Sequence, residues 1–164
     1  MLTNKSLPVC LSLVSTDLPI WSTVETAGTL YQKDQERFHL ILREPAIPDW
    51  EPEPIAIGNH AQPPNAPAIR LLWLEISPYR VTMTMQESKK LSYRHFWEQG
   101  VYGFNRYWLQ GEQLEEHKSF CLRNYTRNLR LEGRPLPQSL WLEYELWSNQ
   151  LRLGHYILHL EIDE

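Results

Sequence analysis

The sequence predicts a mainly β, β-rich α+β domain: an antiparallel sandwich or partly open barrel of seven or more short strands, with one or two short helices. Three observations carry this. Apolar residues recur with period two in several short windows separated by turn residues. Glycine is scarce, with 7 residues, while proline is plentiful, with 12; that balance suits turns built on Pro, Asn and Ser. Aromatics make up 12% of the 164 residues, with 7 Trp, 8 Tyr and 4 Phe, residue types that fit a pleated, half-buried surface.

Residues 7–15 form an apolar run fit for a first strand. Residues 30–33 and 37–43 flank the polar turn Asp34, Gln35 and Glu36. Phe38, Leu40 and Leu42 fall on one face of the second of these, and His39, Ile41 and Arg43 on the other. Residues 44–67 hold 7 of the 12 prolines, which excludes a helix and makes a central strand unfavourable. A proline-rich loop of this length is either functional or disordered, and its composition favours disorder.

Residues 69–76 and 81–85, joined by Ser77, Pro78, Tyr79 and Arg80, read as a hairpin. Its first strand is apolar nearly throughout, as for a strand buried on both faces. In its second, Val81, Met83 and Met85 point one way. Residues 88–99 read as a short helix stopped by Gly100, and 101–109 as a strand. Residues 112–123 are the best helix candidate: Leu114, Cys121 and Tyr125 share one helical face, and acids cluster in the first turn. Residues 140–147 and 150–162 form a hairpin about Ser148 and Asn149, placing Leu146 opposite Leu151 and Glu145 opposite Arg152. Beyond it the apolar phase switches from odd positions (Leu151, Leu153) to even ones (Tyr156, Leu158, Leu160, Ile162), so a β-bulge is expected at Gly154. The whole chain, 1–164, reads as one domain.

Composition narrows the function classes. Lys and Arg total 16 against 20 Asp and Glu, a net charge of −4, too balanced for a bulk nucleic-acid or anionic-membrane binder. With a mean hydropathy of −0.47 and no long apolar run, membrane insertion is not expected. The box Leu7-Pro8-Val9-Cys10 has too little chain before it for the apolar region of a signal peptide, so a cytoplasmic location is expected. Cys10 and Cys121 read as two buried free thiols.

No motif announces catalysis: there is no nucleophile elbow, no phosphate-binding glycine loop and no cysteine in a Cys/His context. His155 and His159 are too far apart along a strand to share a metal and read as partners on a polar face. Glu143 and Glu145 lie on one strand face about 7 Å apart, a spacing seen in carboxylate pairs that flank a scissile bond. With Arg152 opposite Glu145, a solvated glutamate face is the ordinary reading, and an enzyme using the pair is only a residual one. The sequence assigns no catalytic residue, cofactor or metal.

Two features suit binding. In a strand, Tyr102, Phe104, Arg106 and Trp108 project to one face, offering stacking surfaces and a cation. Core packing is the ordinary reading of such a row, but Arg106 within it argues for access to solvent. Residues 118–134 carry five positive charges against one negative; their arginines, Arg123, Arg127, Arg130 and Arg134, form one stripe if helical and break up if the chain is a strand. The leading expectation is therefore a non-catalytic protein-interaction domain, an assembly or adaptor factor. It would hold a protein partner through Tyr102, Phe104, Arg106, Trp108, Arg123, Arg127 and Arg130. The alternatives are a carrier of a small apolar or planar ligand in a barrel cavity lined by Trp73, Met83, Tyr102 and Trp108, and an RNA-contacting accessory domain.

Overall fold

Strict alternation along nearly every strand gives the sheet one apolar face, and the sheet buries that face by closing on itself. The computed structural model describes residues 5–44, 70–86, 91–110 and 117–163. They form ten strands: β1 (Lys5–Ser15), β2 (Trp21–Gln32), β3 (Phe38–Glu44), β4 (Arg70–Ile76), β5 (Arg80–Gln86), β6 (Leu91–Glu98), β7 (Tyr102–Gln110), β8 (His117–Glu132), β9 (Ser139–Ser148) and β10 (Leu151–Ile162). Each pairs antiparallel with its neighbours in sequence, and β1 pairs with β10 to complete a closed barrel. Leu11 sits opposite Leu160 and Leu13 opposite Leu158 at that seam. The expectation of a sandwich or partly open barrel is thus corrected: β1 and β10 both carry inward apolar residues and bury them by pairing.

No helix occurs among the described residues, which corrects both helix expectations. The segment read as a helix over 88–99 contributes β6, and the one over 112–123 enters β8 at His117; residues 87–90 and 111–116, with Leu114, lie outside the described residues. The physical reason is non-local. β8 pairs with β7 over His117–Tyr125 and with β9 over Arg123–Glu132, so backbone ladders with strands distant in sequence override the local helix preference of its polar residues. The proline-rich segment also lies outside the described residues, apart from Glu44.

The hairpin of β4 and β5 stands as read, with Val81, Met83 and Met85 buried. Its first strand is not buried on both faces, because Trp73 is 43% exposed and Glu75 is also outside. The last hairpin turns one residue later than expected. Ser148 pairs with Leu151 and Trp147 with Arg152, while Asn149 takes a left-handed φ of 54°. The expected bulge is present: the register shifts between Arg152 and Gly154, leaving Leu153 outside and restoring the inward phase at Tyr156, Leu158, Leu160 and Ile162.

The barrel interior has two characters. β1 to β5 and the starts of β9 fill it with aliphatic side chains such as Leu40, Leu42, Leu74 and Leu142, none of which is exposed at all. Across from them, β6, β7, β9 and β10 turn rings inward: Tyr93, His95, Trp97, Tyr107, Tyr144 and Tyr156. Behind this wall the Asn124 side-chain amide donates to the Asn105 side-chain oxygen at 2.5 Å and to the Phe96 carbonyl at 2.8 Å, tying β8 to β7 and β6. Gly103 makes that approach possible; a Cβ there would lie 2.5 Å from the Phe96 carbonyl oxygen.

Three stability outcomes follow. Leu142→Ala, which empties a fully buried site, should lose about 2–5 kcal/mol in urea unfolding. Gly103→Ala should lose roughly 1–3 kcal/mol, because the atom in its way is backbone. Burial holds the His95 imidazole down to about 4, against an ordinary 6.5. Its contribution is therefore present above pH 6.5 and is lost as pH falls toward 4, by roughly 3 kcal/mol in all. His39 is also lowered by burial and acts in the same direction, so the His95 part is read as the difference between the pH–stability profiles of the natural chain and His95→Phe.

Candidate functional site: an aromatic and arginine face

The inward register that buries Tyr107 and Asn105 forces the alternate residues of β7 to the outside. Tyr102, Phe104 and Trp108 are 56%, 57% and 41% exposed, and Arg106 is exposed between the last two. Core packing, the ordinary reading of this row, does not apply. β6 supplies Arg94 and Phe96 from the same surface. Together with Gly103 these side chains border a shallow groove of about 360 Å³.

The electrostatics of the groove are one-sided. Arg94 is the direct cross-strand neighbour of Arg106, and on the other flank Arg106 faces Cys121. Neither arginine has an acidic partner among the described residues. At the ends of the face two more arginines lie over rings: Arg80 over Phe96 at 5.1 Å and Arg123 over Tyr102 at 4.8 Å. Arg80 is 3.5 Å from Glu98, and Arg123 donates to the Asn149 carbonyl at 3.0 Å. Tyr125 extends the face beside Tyr102, with ring centroids 4.9 Å apart.

Strand geometry breaks up the expected arginine stripe. Arg123 joins the aromatic row through Tyr102. Arg127 falls in the register shift between Thr126 and Asn128, where its guanidinium holds Glu145. Arg130 is exposed beside Trp141, about 20 Å from Arg123 along the strand. Seven partner-binding residues were expected; the fold unites Tyr102, Phe104, Arg106, Trp108 and Arg123 and separates Arg127 and Arg130.

The expected cavity lining is also corrected. Trp73, Tyr102 and Trp108 stand outside the barrel, and only Met83 points in. Glu145 is not on a solvated face opposite Arg152: it is buried, bonded by Arg127 and by the Trp147 indole at 3.2 Å. Glu143 instead takes a bond with His155 at 2.9 Å, whose other ring nitrogen meets Thr16 at 2.6 Å. His159 is 3.4 Å from Ser139 and 3.7 Å from Glu161, so the two histidines have separate partners. Both cysteines are free thiols, but neither is buried as expected: Cys10 is half-buried and Cys121 exposed. Arg94 and Phe96 escaped the sequence reading because their segment was taken as helical. Once it is read as a strand, their alternation with His95 and Trp97 places them on the outer face.

No family model matches the chain, and no curated protein does. Among solved structures it is similar to the crystal structure of the ywiB protein from Bacillus subtilis, at 11% identity and a TM-score of 0.54, covering 97% of this chain and 94% of that one. At that identity the likeness is one of fold, extending over nearly the whole of both chains.

Proposed function

We propose that this chain is a non-catalytic interaction domain, an assembly or adaptor factor, whose β6–β8 face holds an acidic segment of a partner protein. The observation that carries the reading is the pair Arg94 and Arg106, set directly opposite each other with no acidic partner among the described residues. Like charges at directly opposed positions destabilise a sheet. An acidic side chain laid between them removes that repulsion. Around it, Phe96, Phe104 and Trp108 supply the flat apolar area typical of binding hot spots.

A nucleic-acid backbone fits this face less well. Phosphate tracking calls for a continuous basic groove, whereas Arg127 is neutralised by Glu145 and Arg130 lies far from the row. The chain as a whole is acidic, which disfavours a polyanion away from this patch.

The test is recovery of bound macromolecules on the tagged full chain, at low and high salt and with or without nuclease. The expected result is a protein partner, resistant to nuclease, that is lost from Arg94→Glu/Arg106→Glu and weakened about 30-fold or more by Phe104→Ala/Trp108→Ala. A partner retained unchanged by both pairs overturns the reading, and capture that nuclease abolishes replaces it with RNA. Arg106→Gln in the isolated chain should leave stability unchanged or raise it by up to about 1 kcal/mol, as measured by urea unfolding.

A further inference from the structure

The chain carries its own acidic, proline-rich sequence close to the face that presents Arg94 and Arg106. Residues 44–69, between β3 and β4, include Glu44, Asp49, Glu51 and Glu53 and no Lys or Arg. Within them, residues 49–54 read Asp-Trp-Glu-Pro-Glu-Pro. Pro52 and Pro54 push Glu51 and Glu53 toward extended backbone, which lowers the entropy lost on docking. Trp50 adds a large ring that gains by leaving water.

The groove offers the complement of each of these groups. Arg94 and Arg106 stand opposite each other, and Phe96, Phe104 and Trp108 line the same surface. Grooves lined with rings are a recurrent way to hold extended proline-rich segments. Residues 111–116 also carry acids, but they contain neither a ring nor a proline.

The register shows that the stretch can reach. Glu44 pairs with Arg70 where β3 ends and β4 begins. From there the outer positions Ile41, Trp73, Thr84, Arg94 and Arg106 make one row across neighbouring strands. The midpoint of the two arginines is about 20 Å from Glu44, counting three residues along β3 and three to four strand spacings across. An extended chain covers roughly 17 Å from Glu44 to Asp49, 23 Å to Glu51 and 30 Å to Glu53. Asp49 stops short, whereas Glu51 and Glu53 reach the pair. The intervening outer residues, Trp73 and Thr84, carry no charge to compete with it.

We infer that the groove at Arg94 and Arg106 is the docking site of this chain's own residues 49–54, with Glu51 and Glu53 on the two guanidinium groups and Trp50 against the exposed rings. The inference rests on the reading of this face as an acid-binding groove and supplies its regulation. A tethered segment acts at an effective concentration on the order of millimolar, so even a weak contact is held. An acidic segment of a partner then binds only by displacing the internal one.

The test uses the full chain labelled with fluorotryptophan and observed by ¹⁹F NMR, with Trp50 identified among the 7 Trp from Trp50→Phe. A synthetic peptide of residues 47–56 gives the undocked position. In the natural chain the Trp50 signal is expected away from that position, and dilution should not move it. Arg94→Glu/Arg106→Glu should return it to the position of the peptide. Adding Glu51→Arg/Glu53→Arg to that variant should restore the docked position, which a merely structural role of the arginines does not predict. The signal of Trp97, a ring buried in the core, reports that each variant is folded. Should the arginine reversal fail to fold, Glu51→Gln/Glu53→Gln decides, and should release Trp50.

A Trp50 signal at the peptide position in the natural chain overturns the inference. One that ignores the arginines does so too, and leaves residues 111–116 or an external segment as the occupant. A signal that moves on dilution overturns it in favour of a second copy of the chain. Partner capture on the same variants keeps the two readings apart. Trp50 following the arginines while no partner is captured sustains this inference and removes the partner reading. Arginine-dependent capture with an indifferent Trp50 does the reverse.

Discussion

The pairing of β1 with β10 is the constraint on which the rest of this molecule depends. Both strands carry inward apolar residues, and each would otherwise present a long unpaired edge. Once that seam closes, every strand has two neighbours and two unlike surroundings, one inside and one outside. The side-chain period of a strand then sorts the whole sequence: a residue's parity decides whether it packs or meets solvent. Where the parity must change, the chain inserts a residue. It does so at Arg127, which is freed to cover Glu145, and at Leu153, after which Tyr156 and the even residues of β10 turn inward.

The same sorting generates an aromatic outer face and an aromatic inner wall. On β6 and β7, Tyr93, His95, Tyr107 and Asn105 lie inside, while Arg94, Phe96, Phe104, Arg106 and Trp108 lie outside. Two neighbouring strands thus carry large rings on both faces. The outer rings are accompanied by unneutralised arginines, and the inner ones by unpartnered nitrogens. The interior of the remainder of the barrel is mainly aliphatic. Chemistry is concentrated on one side of the molecule.

The distribution of charge sharpens this contrast. Several outward ionic groups have local partners: Arg37 with Asp34, Arg80 with Glu98, Arg127 with Glu145, and His155 with Glu143. Exposed pairs of this kind contribute little to stability, and their value lies in leaving no charge unanswered on the surface. Arg94 and Arg106 stand apart as two like charges set directly opposite each other on neighbouring strands.

The sequence by itself determined the β class, the hairpins of β4–β5 and β9–β10, the bulge before Gly154, and the common face of Tyr102, Phe104, Arg106 and Trp108. Each of these rests on period-two alternation or turn chemistry, which act over a few residues. It did not reveal most of β2, whose Ser, Thr, Glu and Ala residues give almost no apolar signal, because Gly28 serves as an inward residue by making room for Leu42 and Val9. It also mistook β6 and the start of β8 for helices, since their strand state is imposed by pairing with neighbouring strands. Closure of the barrel, the meeting of Arg94 with Arg106, the burial of Glu145 under Arg127, and the ring of aromatic residues about His95 were decided by tertiary structure alone. All four depend on which strands become neighbours and in what register, and that is fixed by burying the inner face as a whole rather than by any local run of residues.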